Sequence, residues 1–216
     1  MIRLFNCDNM DFMKSVPDKF YDLAIVDPEY GISVNHNMGR RKWDKPSKYK
    51  EATWDKESVN REVLNEIFRV SVNQIIFGAN HFISKMPYDS SCWIMWDKGF
   101  SEEVTFAQFE LAWTSFESTC KKFEFNAAAN RDRIHPTQKP ISLYKWLLKN
   151  YAKEGDKIFD SHGGSLSIAI ACGEMGFDLD ACELDGDYFK ESVARVQRHF
   201  TQSNAFMKTP EILVNP

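Results

Sequence analysis

The stretch Tyr21-Asp22-Leu23-Ala24-Ile25-Val26-Asp27-Pro28-Glu29-Tyr30-Gly31 decides how this chain is expected to fold. Its apolar run, which is β-branched at the end, predicts a buried strand of the parallel type. The strand ends at Pro28, because a proline ring lacks an N–H and restrains the residue before it. Asp27 therefore stands at the carboxyl end of a strand, where open α/β sheets bind their ligands.

Residues 27–31, called the Asp27 turn below, combine groups that suit a flat ligand. A carboxylate, a carbonyl held by a proline and the ring of Tyr30 can together grip a planar ring that carries an amino group. Gly31 lets the backbone turn away. On this stretch alone, a strand followed by a simple Asp-Pro turn explains the pattern equally well.

Strands and helices alternate along the chain, which predicts an α/β fold with a doubly wound, mostly parallel sheet. Helical spacing of apolar residues indicates helices at 9–16, 59–72, 141–151, 166–175 and 187–200, with a further short helix at 82–86. Short apolar runs indicate strands at 2–5, 21–26, 74–78, 92–97, 109–114, 157–160 and 179–183. We expect one domain over residues 1–200, with a basic loop insertion at 33–58 and a loose tail at 201–216.

Composition excludes several classes of protein. The chain has 216 residues, of which 43% are hydrophobic and 14% aromatic, so it is long and apolar enough to bury a large core. A net charge of −4 argues against a protein that coats nucleic acid, so any phosphate contacts must come from a local basic patch. No run approaches the length of a membrane span, and the first residues lack the apolar core of a signal peptide.

The five cysteines are odd in number and contain no C-x-x-C pair. This pattern disfavours a disulfide framework or a zinc site and predicts free thiols in a reducing compartment. We therefore expect a soluble, cytoplasmic protein without a metal.

The loop at 33–58 is the most basic segment and interleaves cations with aromatic residues. Aromatic side chains in such a basic loop suit stacking on nucleic-acid bases or folding back as anchors. The alternative is a solvated surface loop whose aromatic residues pack underneath it. The residues expected to bind nucleic acid are Arg40, Arg41, Lys42, Trp43 and Lys45.

A second informative stretch is Phe159-Asp160-Ser161-His162-Gly163-Gly164-Ser165, between a predicted strand and a predicted helix. Glycines let such a turn approach a ligand, and a helix N-terminus favours an anionic group. Glu183 ends the next strand, about 20 residues further on, where an acidic residue can bind ribose hydroxyls. The full G-x-G-x-x-G pattern is absent, and a plain βαβ turn is the alternative interpretation.

Together these motifs resemble those of the DNA amino-methyltransferases, which use S-adenosylmethionine to methylate adenine N6 or cytosine N4. In that family a D/N-P-P-Y/F motif forms the catalytic pocket, which implies catalytic roles for Asp27, Pro28 and Tyr30. The stretch His135-Pro136-Thr137-Gln138-Lys139-Pro140 is similar to the family's motif near the methionine end of the cofactor. The resemblance implies a Rossmann-like class I methyltransferase fold with the circularly permuted motif order of the β group.

The resemblance also implies which residues bind S-adenosylmethionine. Asp8, at the end of the first strand, matches the position expected to hold the cofactor's adenine. His135 and His162 are expected to donate or accept hydrogen bonds in the pocket rather than to act as bases, with a purely structural role as the alternative. The expected cofactor-binding residues are Asp8, His135, Thr137, Gln138, Lys139, Asp160, His162, Gly164, Ser165 and Glu183.

Two residues depart from the family's pattern. Glu29 replaces the second proline of the catalytic motif, which we expect to loosen the loop. Leu166 stands where the family usually has a second glycine, which we expect to crowd the cofactor turn.

The chemistry explains why the Asp27 turn suits an exocyclic amine. Its lone pair is delocalised into the base, so the nitrogen is a poor nucleophile until Asp27 and the Pro28 carbonyl each accept one N–H. Such preorganised acceptors stabilise the charge that develops on nitrogen. Tyr30 is expected to stack on a base flipped out of the duplex, using its ring and not its hydroxyl.

The resulting expectation is a DNA methyltransferase that acts on double-stranded DNA, with adenine N6 favoured over cytosine N4. With a DNA substrate implied, the 33–58 loop is expected to contact DNA phosphates and to place an aromatic side chain near the flipped base. Homodimers are common in the family, so a second subunit is one way to complete the reading of a DNA site. Two alternatives stay open: methylation of RNA or of a protein amide, and a catalytically impaired member that binds DNA or a partner. Loss of activity would then be the consequence of Glu29 and Leu166.

Overall fold

The structure is a computed structural model, and it describes residues 1–32, 54–100, 107–126, 134–135, 137–202 and 209–215. Its centre is a nine-stranded sheet with the order β6-β4-β5-β3-β2-β7-β8-β1-β9. The strands are β1 (Ile2–Asn6), β2 (Tyr21–Val26), β3 (Ser71–Phe77), β4 (Trp93–Asp97), β5 (Phe109–Thr114), β6 (Lys121–Glu124), β7 (Lys157–Asp160), β8 (Asp178–Glu183) and β9 (Ile212–Asn215). Among these described strands, β5 alone runs antiparallel to both of its neighbours.

Helices cover both faces of the sheet, and each face has its own apolar core. On one face, α1 (Asn9–Lys14) and α2 (Arg61–Val70) pack over Ala24 and Val26 of β2. On the other face, α3 (Ile141–Tyr151), α4 (Ser167–Met175) and α5 (Gly186–Gln202) pack over Leu23 and Ile25. Alternate residues of β2 thus enter opposite cores, as the period of two in a strand requires. The predicted doubly wound, mostly parallel α/β fold is confirmed.

The position of the site follows from this winding. β2 and β7 are parallel neighbours, with Leu23 opposite Ile158 and Ala24 opposite Phe159. The helix after β2 lies on one face and the helix after β7 lies on the other, so a crevice opens between the two carboxyl ends. The Asp27 turn and the 160–166 turn, which are more than 100 residues apart in the chain, therefore flank one crevice.

Near the end of the sequence, the structure differs from the predicted loose tail at 201–216. Helix α5 continues to Gln202, and Ile212–Asn215 forms the parallel edge strand β9 on β1. Ile212 and Val214 alternate with more exposed residues and pack against the core, which is why this short segment is a strand. The short helix expected at 82–86 is likewise reduced to a single 3₁₀ turn, Ile83–Lys85.

Two further expectations meet the structure here. All five cysteines are free thiols, as predicted. Within the described residues, no helix combines the length and the apolar character needed to cross a membrane.

Candidate active site

A cavity of about 320 Å³ opens at the carboxyl ends of β1, β2, β7 and β8. Its volume lies at the lower end of the range found for small-molecule sites. Predicted site residues that line it are Asp8, Asp27, Pro28, Tyr30, His135, Thr137, Gln138, Lys139, His162, Gly164, Ser165 and Glu183. The structure therefore brings together all the predicted catalytic residues and nearly all the predicted cofactor residues. The predicted nucleic-acid contacts Arg40, Arg41, Lys42, Trp43 and Lys45 lie outside the described residues.

Tyr30 holds the Asp27 carboxylate from within the same turn. Its hydroxyl donates to Asp27 Oδ1 at 2.5 Å. One face of its ring stacks on His81, with ring centroids 5.2 Å apart and an interplanar angle of 15°. Gly78, after β3, makes room for the ring, since a Cβ there would lie 2.0 Å from Tyr30 Cε1. The tyrosine thus orients the carboxylate through its hydroxyl, a role that the sequence analysis did not assign to it.

Asp55 anchors the backbone of the Asp27 turn. Its Oδ1 accepts the N–H groups of Tyr30 at 3.0 Å and of Gly31 at 2.9 Å, and the residue is only 1% exposed. Gly31 has φ of +73°, and a Cβ there would lie 2.5 Å from Ser58 N. Asp55 belongs to the 33–58 loop, which was expected to contact DNA, with a solvated surface loop as the alternative. This described end of the loop is part of the site, because two converging N–H groups have a buried acceptor there.

Lys139 pairs with the carboxylate of Asp27. Its Nζ contacts Asp27 Oδ2, lies 3.1 Å from Glu110 Oε2, and donates to the Tyr30 hydroxyl at 3.3 Å. Lys98 contacts the other oxygen of Glu110 at 2.7 Å. Lys139 was predicted to bind cofactor; it lines the cavity, but its ammonium group is held by these two carboxylates.

Burial and charge act against each other in this cluster. Burial raises the pKa of Asp27 above its usual range, although the Lys139 ammonium opposes the change. Burial acts to raise the pKa of Glu110 as well, but the positive charges of Lys139 and Lys98 have a larger effect and lower that pKa to about 2. For Lys139 burial lowers the pKa, yet Asp27 and Glu110 raise it further, and the net shift is upward. Asp27 is thus a stronger base than an exposed aspartate, beside a lysine that stays charged.

Two acidic side chains hold the 160–166 turn in place by accepting hydrogen bonds from backbone N–H groups. Glu183 Oε2 accepts the Gly164 N–H at 2.7 Å, and its Oε1 accepts the Asp185 N–H at 2.8 Å. Asp160 is 1% exposed and accepts the His162 N–H at 2.9 Å. Asp160 was predicted among the cofactor-binding residues, but its side chain lies behind the turn and supports the backbone there.

Leu166 is strained but does not crowd the cavity, contrary to the sequence-based expectation. Its φ is +53°, in the left-handed region that favours glycine, and its side chain is completely buried in the core of the α3–α5 face. The backbone takes the conformation that a glycine would adopt, while the side chain points away from the pocket. A left-handed conformation costs a residue with a Cβ about 1–2 kcal/mol.

Glu29 connects the two turns that flank the crevice. Its Oε2 lies 3.5 Å from His162 Nε2, and its carbonyl accepts the Val59 N–H at 3.0 Å. For His162, burial lowers the pKa, but the carboxylates of Glu29, Asp160 and Glu183 together raise it more, so the net direction is upward. The expected loosening by Glu29 is thus opposed by two contacts that hold the residue in place.

Residues 135 and 137–139 close the cavity next to α5. The Thr137 hydroxyl lies 3.0 Å from His135 Nδ1, and the His135 ring packs 4.6 Å from the Tyr188 ring. Gln138 accepts the Ile134 N–H at 3.0 Å through its side-chain oxygen. These contacts shape the segment, in line with hydrogen-bonding rather than basic roles for its histidine.

The model of the N6/N4 DNA methylase family matches residues 49–194, about two thirds of the chain. The chain belongs to this DNA methylase family. The match begins after the Asp27 turn, so the role of Asp27 depends on its resemblance to the catalytic motif and on its position in the cavity.

Solved structures of similar fold include several DNA methyltransferases. The M1.HpyAVI–SAM complex is 15% identical, with a TM-score of 0.60 over 91% of this chain and 99% of that one. TTHA0409, a putative DNA modification methylase from Thermus thermophilus complexed with S-adenosyl-L-methionine, is 16% identical, with a TM-score of 0.60 over all of both chains. PvuII DNA methyltransferase (cytosine-N4-specific) is 10% identical, with a TM-score of 0.59 over 97% and 94% of the two chains. The fold is therefore that of the class I methyltransferases.

Residues in or beside the cavity that the sequence did not predict include Asp55, Glu110 and Leu184. Asp55 and Glu110 stood in segments assigned to a loop and to an ordinary strand, and neither belongs to a short motif. Leu184 follows the acidic residue at the end of β8 and is 71% exposed at the cavity. A leucine directly after the acidic residue that ends a predicted strand could have been recognised in the sequence. The positions of Asp55 and Glu110 depend on partners that are distant in the chain.

Proposed function

We propose that this chain is an S-adenosylmethionine-dependent DNA methyltransferase that modifies the exocyclic amine of a flipped base. The observation that carries the proposal is the position of Asp27. Its carboxylate is ordered by Tyr30 and Lys139 and faces the same cavity as the 163–165 backbone and Glu183. An amine acceptor and a nucleoside-binding edge thus share one crevice.

The lining residues fit S-adenosylmethionine. Each Glu183 oxygen accepts one backbone N–H and keeps a second lone pair for a ribose hydroxyl. Leu184 offers exposed apolar surface beside it for a flat adenine ring, with Asp8 and Cys7 on the neighbouring strand end. When bound, the cofactor supplies a methyl group on a positively charged sulfur. The SAM-bound state of two structures of the same fold supports this assignment.

The chain's own groups prepare the amine. Asp27 and the Pro28 carbonyl each accept one N–H of the target amino group, which directs its lone pair into the cavity. The raised pKa of Asp27 makes its carboxylate a good acceptor as positive charge grows on the nitrogen. Tyr30, backed by His81, supplies a ring on which the base stacks.

We further propose adenine N6 as the acceptor in preference to cytosine N4. The support is the stacked Tyr30–His81 pair, since a purine covers more of a tyrosine ring than a pyrimidine does. Enzymatic digestion of methylated DNA followed by mass spectrometry distinguishes N6-methyladenine from N4-methylcytosine. Detection of N4-methylcytosine alone would reverse this preference.

DNA binding is proposed for the basic segment that includes Arg40, Arg41 and Lys42. Each cation that contacts a phosphate steepens the dependence of affinity on salt. Replacing all three by Ala should weaken DNA binding and reduce the slope of log affinity against log salt concentration by about 2–3. An unchanged slope would place the DNA on another surface.

The central experiment is Asp27→Ala, assayed for methyl transfer to DNA and for S-adenosylmethionine binding by calorimetry. We expect methyl transfer to be lost while cofactor binding is largely kept, because Glu183 and the 163–165 backbone are unchanged. Asp178→Ala is the control, since Asp178 is exposed at the opposite end of β8. Full turnover by Asp27→Ala would refute the mechanism. A wild-type chain without cofactor binding would instead indicate a non-catalytic family member.

A further inference from the structure

Four charged side chains from four separate segments form one continuous chain that ends on Asp27. Lys98 contacts Glu110 Oε1 at 2.7 Å, Glu110 Oε2 lies 3.1 Å from Lys139 Nζ, and Lys139 contacts Asp27 Oδ2. The side chains are 15%, 21%, 2% and 15% exposed in that order. The formal charges of two lysines and two carboxylates cancel, as a buried cluster requires.

The reversed strand of the sheet brings Glu110 to this place. Glu110 is the second residue of β5, and β5 pairs antiparallel with β3 so that Ala112 lies opposite Phe77. The beginning of β5 therefore reaches the edge of the sheet at which β2 and β3 end. A parallel strand in the same position would have placed that residue at the opposite edge.

We infer that Glu110, held by Lys98, is a positioning residue for methyl transfer, because it shares the Lys139 ammonium with Asp27 and so sets how strongly that positive charge acts on Asp27. This inference rests on the proposed function for its catalytic consequence, but its electrostatic part does not. Three oxygens surround Lys139 Nζ: it forms ion pairs with the carboxylates of Asp27 and Glu110 and donates a hydrogen bond to the Tyr30 hydroxyl. The ring of Phe77 lies 4.5 Å from Nζ and covers another side of it.

The second carboxylate matters during the reaction. As Asp27 accepts an amine N–H, part of its charge is shared with the substrate, and Lys139 retains Glu110 as a counterion. Without Glu110, the ammonium would depend on Asp27 alone. Lys139 therefore acts through Asp27 and Glu110 acts through Lys139, and neither needs to touch the methyl group.

The cluster predicts opposite changes in the Asp27 titration for two substitutions. Groups that face Asp27 are Tyr30 in its own turn, Lys139 before α3, Glu110 on β5, Tyr144 on α3 and Asp160 on β7. Lys139→Met removes the cation, so the Asp27 carboxyl should titrate at a pH higher by about one unit or more. Glu110→Gln removes a neighbouring negative charge, so Asp27 should titrate at a lower pH than in the wild type.

The test is carboxyl ¹³C NMR titration of Asp27 in the full chain, combined with the pH profile of single-turnover methyl transfer. The acidic limb of the profile should move up in Lys139→Met and down in Glu110→Gln. Lys139→Met should also lose about tenfold or more in rate at neutral pH, with S-adenosylmethionine affinity changed by less than about threefold. The near-isosteric Glu110→Gln keeps the test available if Lys139→Met does not fold.

Glu174→Gln is the matched control. Glu174 is also a buried carboxylate paired with a lysine and a second cationic partner, Lys145 and His199, but at the far end of α4. It should change stability without moving the titration of Asp27. Shifts of the same sign in Lys139→Met and Glu110→Gln, or no shift in either, would overturn the inference. Because the NMR titration needs no turnover, failure of the proposed function would be seen separately, as inactive wild-type protein with shifts of opposite sign.

Discussion

Replacing Asp160 by Asn should stabilise the protein increasingly as the pH rises. Asp160 is 1% exposed at the end of β7, and its Oδ1 accepts the His162 N–H at 2.9 Å. Burial raises its pKa from the ordinary 3.8 to about 7; the His162 N–H and its charge oppose the shift, and Asp27 and Glu183 add to it. Asn keeps the size and an acceptor for the N–H but carries no charge.

The sign and size follow from proton linkage. Between pH 3.8 and about 7, Asp160 is protonated in most folded molecules but deprotonated in most unfolded ones. The contribution of this group to the free energy of unfolding therefore falls as the pH rises through that window, and it is lowest above the folded pKa. From pH 5 to pH 8 the loss amounts to about 3 kcal/mol. The Asp160→Asn variant has no titrating group at this position, so its free energy of unfolding does not include this loss.

Urea denaturation at pH 5, 6, 7 and 8 measures the effect. The free energy of unfolding of Asp160→Asn minus that of the wild type should grow by about 3 kcal/mol across this range and level off near pH 8. Asp89→Asn, at an exposed site, controls for general charge effects. A difference that is constant with pH would refute the reasoning, because it would mean that Asp160 titrates alike in both states.

Three further predictions test single residues. Both Leu166→Gly and Leu166→Ala lose buried contacts, but Leu166→Gly should be the more stable of the two by about 1 kcal/mol in urea denaturation, because Leu166 has φ of +53°. The reverse order would contradict the strain at this position. Gly78→Ala should nearly abolish methyl transfer, because its Cβ would displace the Tyr30 ring. Gly99→Ala is its control, with a similar positive φ but a nearest contact of 3.5 Å, and equal losses of activity in both variants would contradict the steric argument. Tyr30→Phe should lower kcat about ten- to a hundredfold, the value of a hydrogen bond to a charged group, with KM for DNA little changed. A wild-type kcat would show that the ring alone matters.

Local pattern was sufficient for most of the architecture. The strand at 21–26, the helix at 141–151 and the strand at 157–160 lie where their apolar spacing places them. Hydrophobic periodicity records which face of an element is buried, and proline and glycine restrict the backbone directly. Pro28 ends β2 for that reason, and Asp27 follows at the carboxyl end.

The chain end and the turn after β7 show where local reasoning stops. β9 is four residues long, and only its place beside β1 makes it a strand. Leu166 adopts a glycine conformation because its side chain gains a fully buried site, and no pattern in the sequence reveals that site.

By itself, the sequence determined the alternation of strands and helices, the position of Asp27 at a strand end and the two turns that flank the crevice. Only the tertiary structure decided which charges surround Asp27. Asp55 reaches its turn, and Glu110 and Lys139 reach its carboxylate, from segments far away in the chain. Their meeting depends on strand order and on the reversal of β5, which are properties of the whole sheet. Backbone restraints act between neighbours in the chain, whereas a buried ion pair forms between neighbours in space.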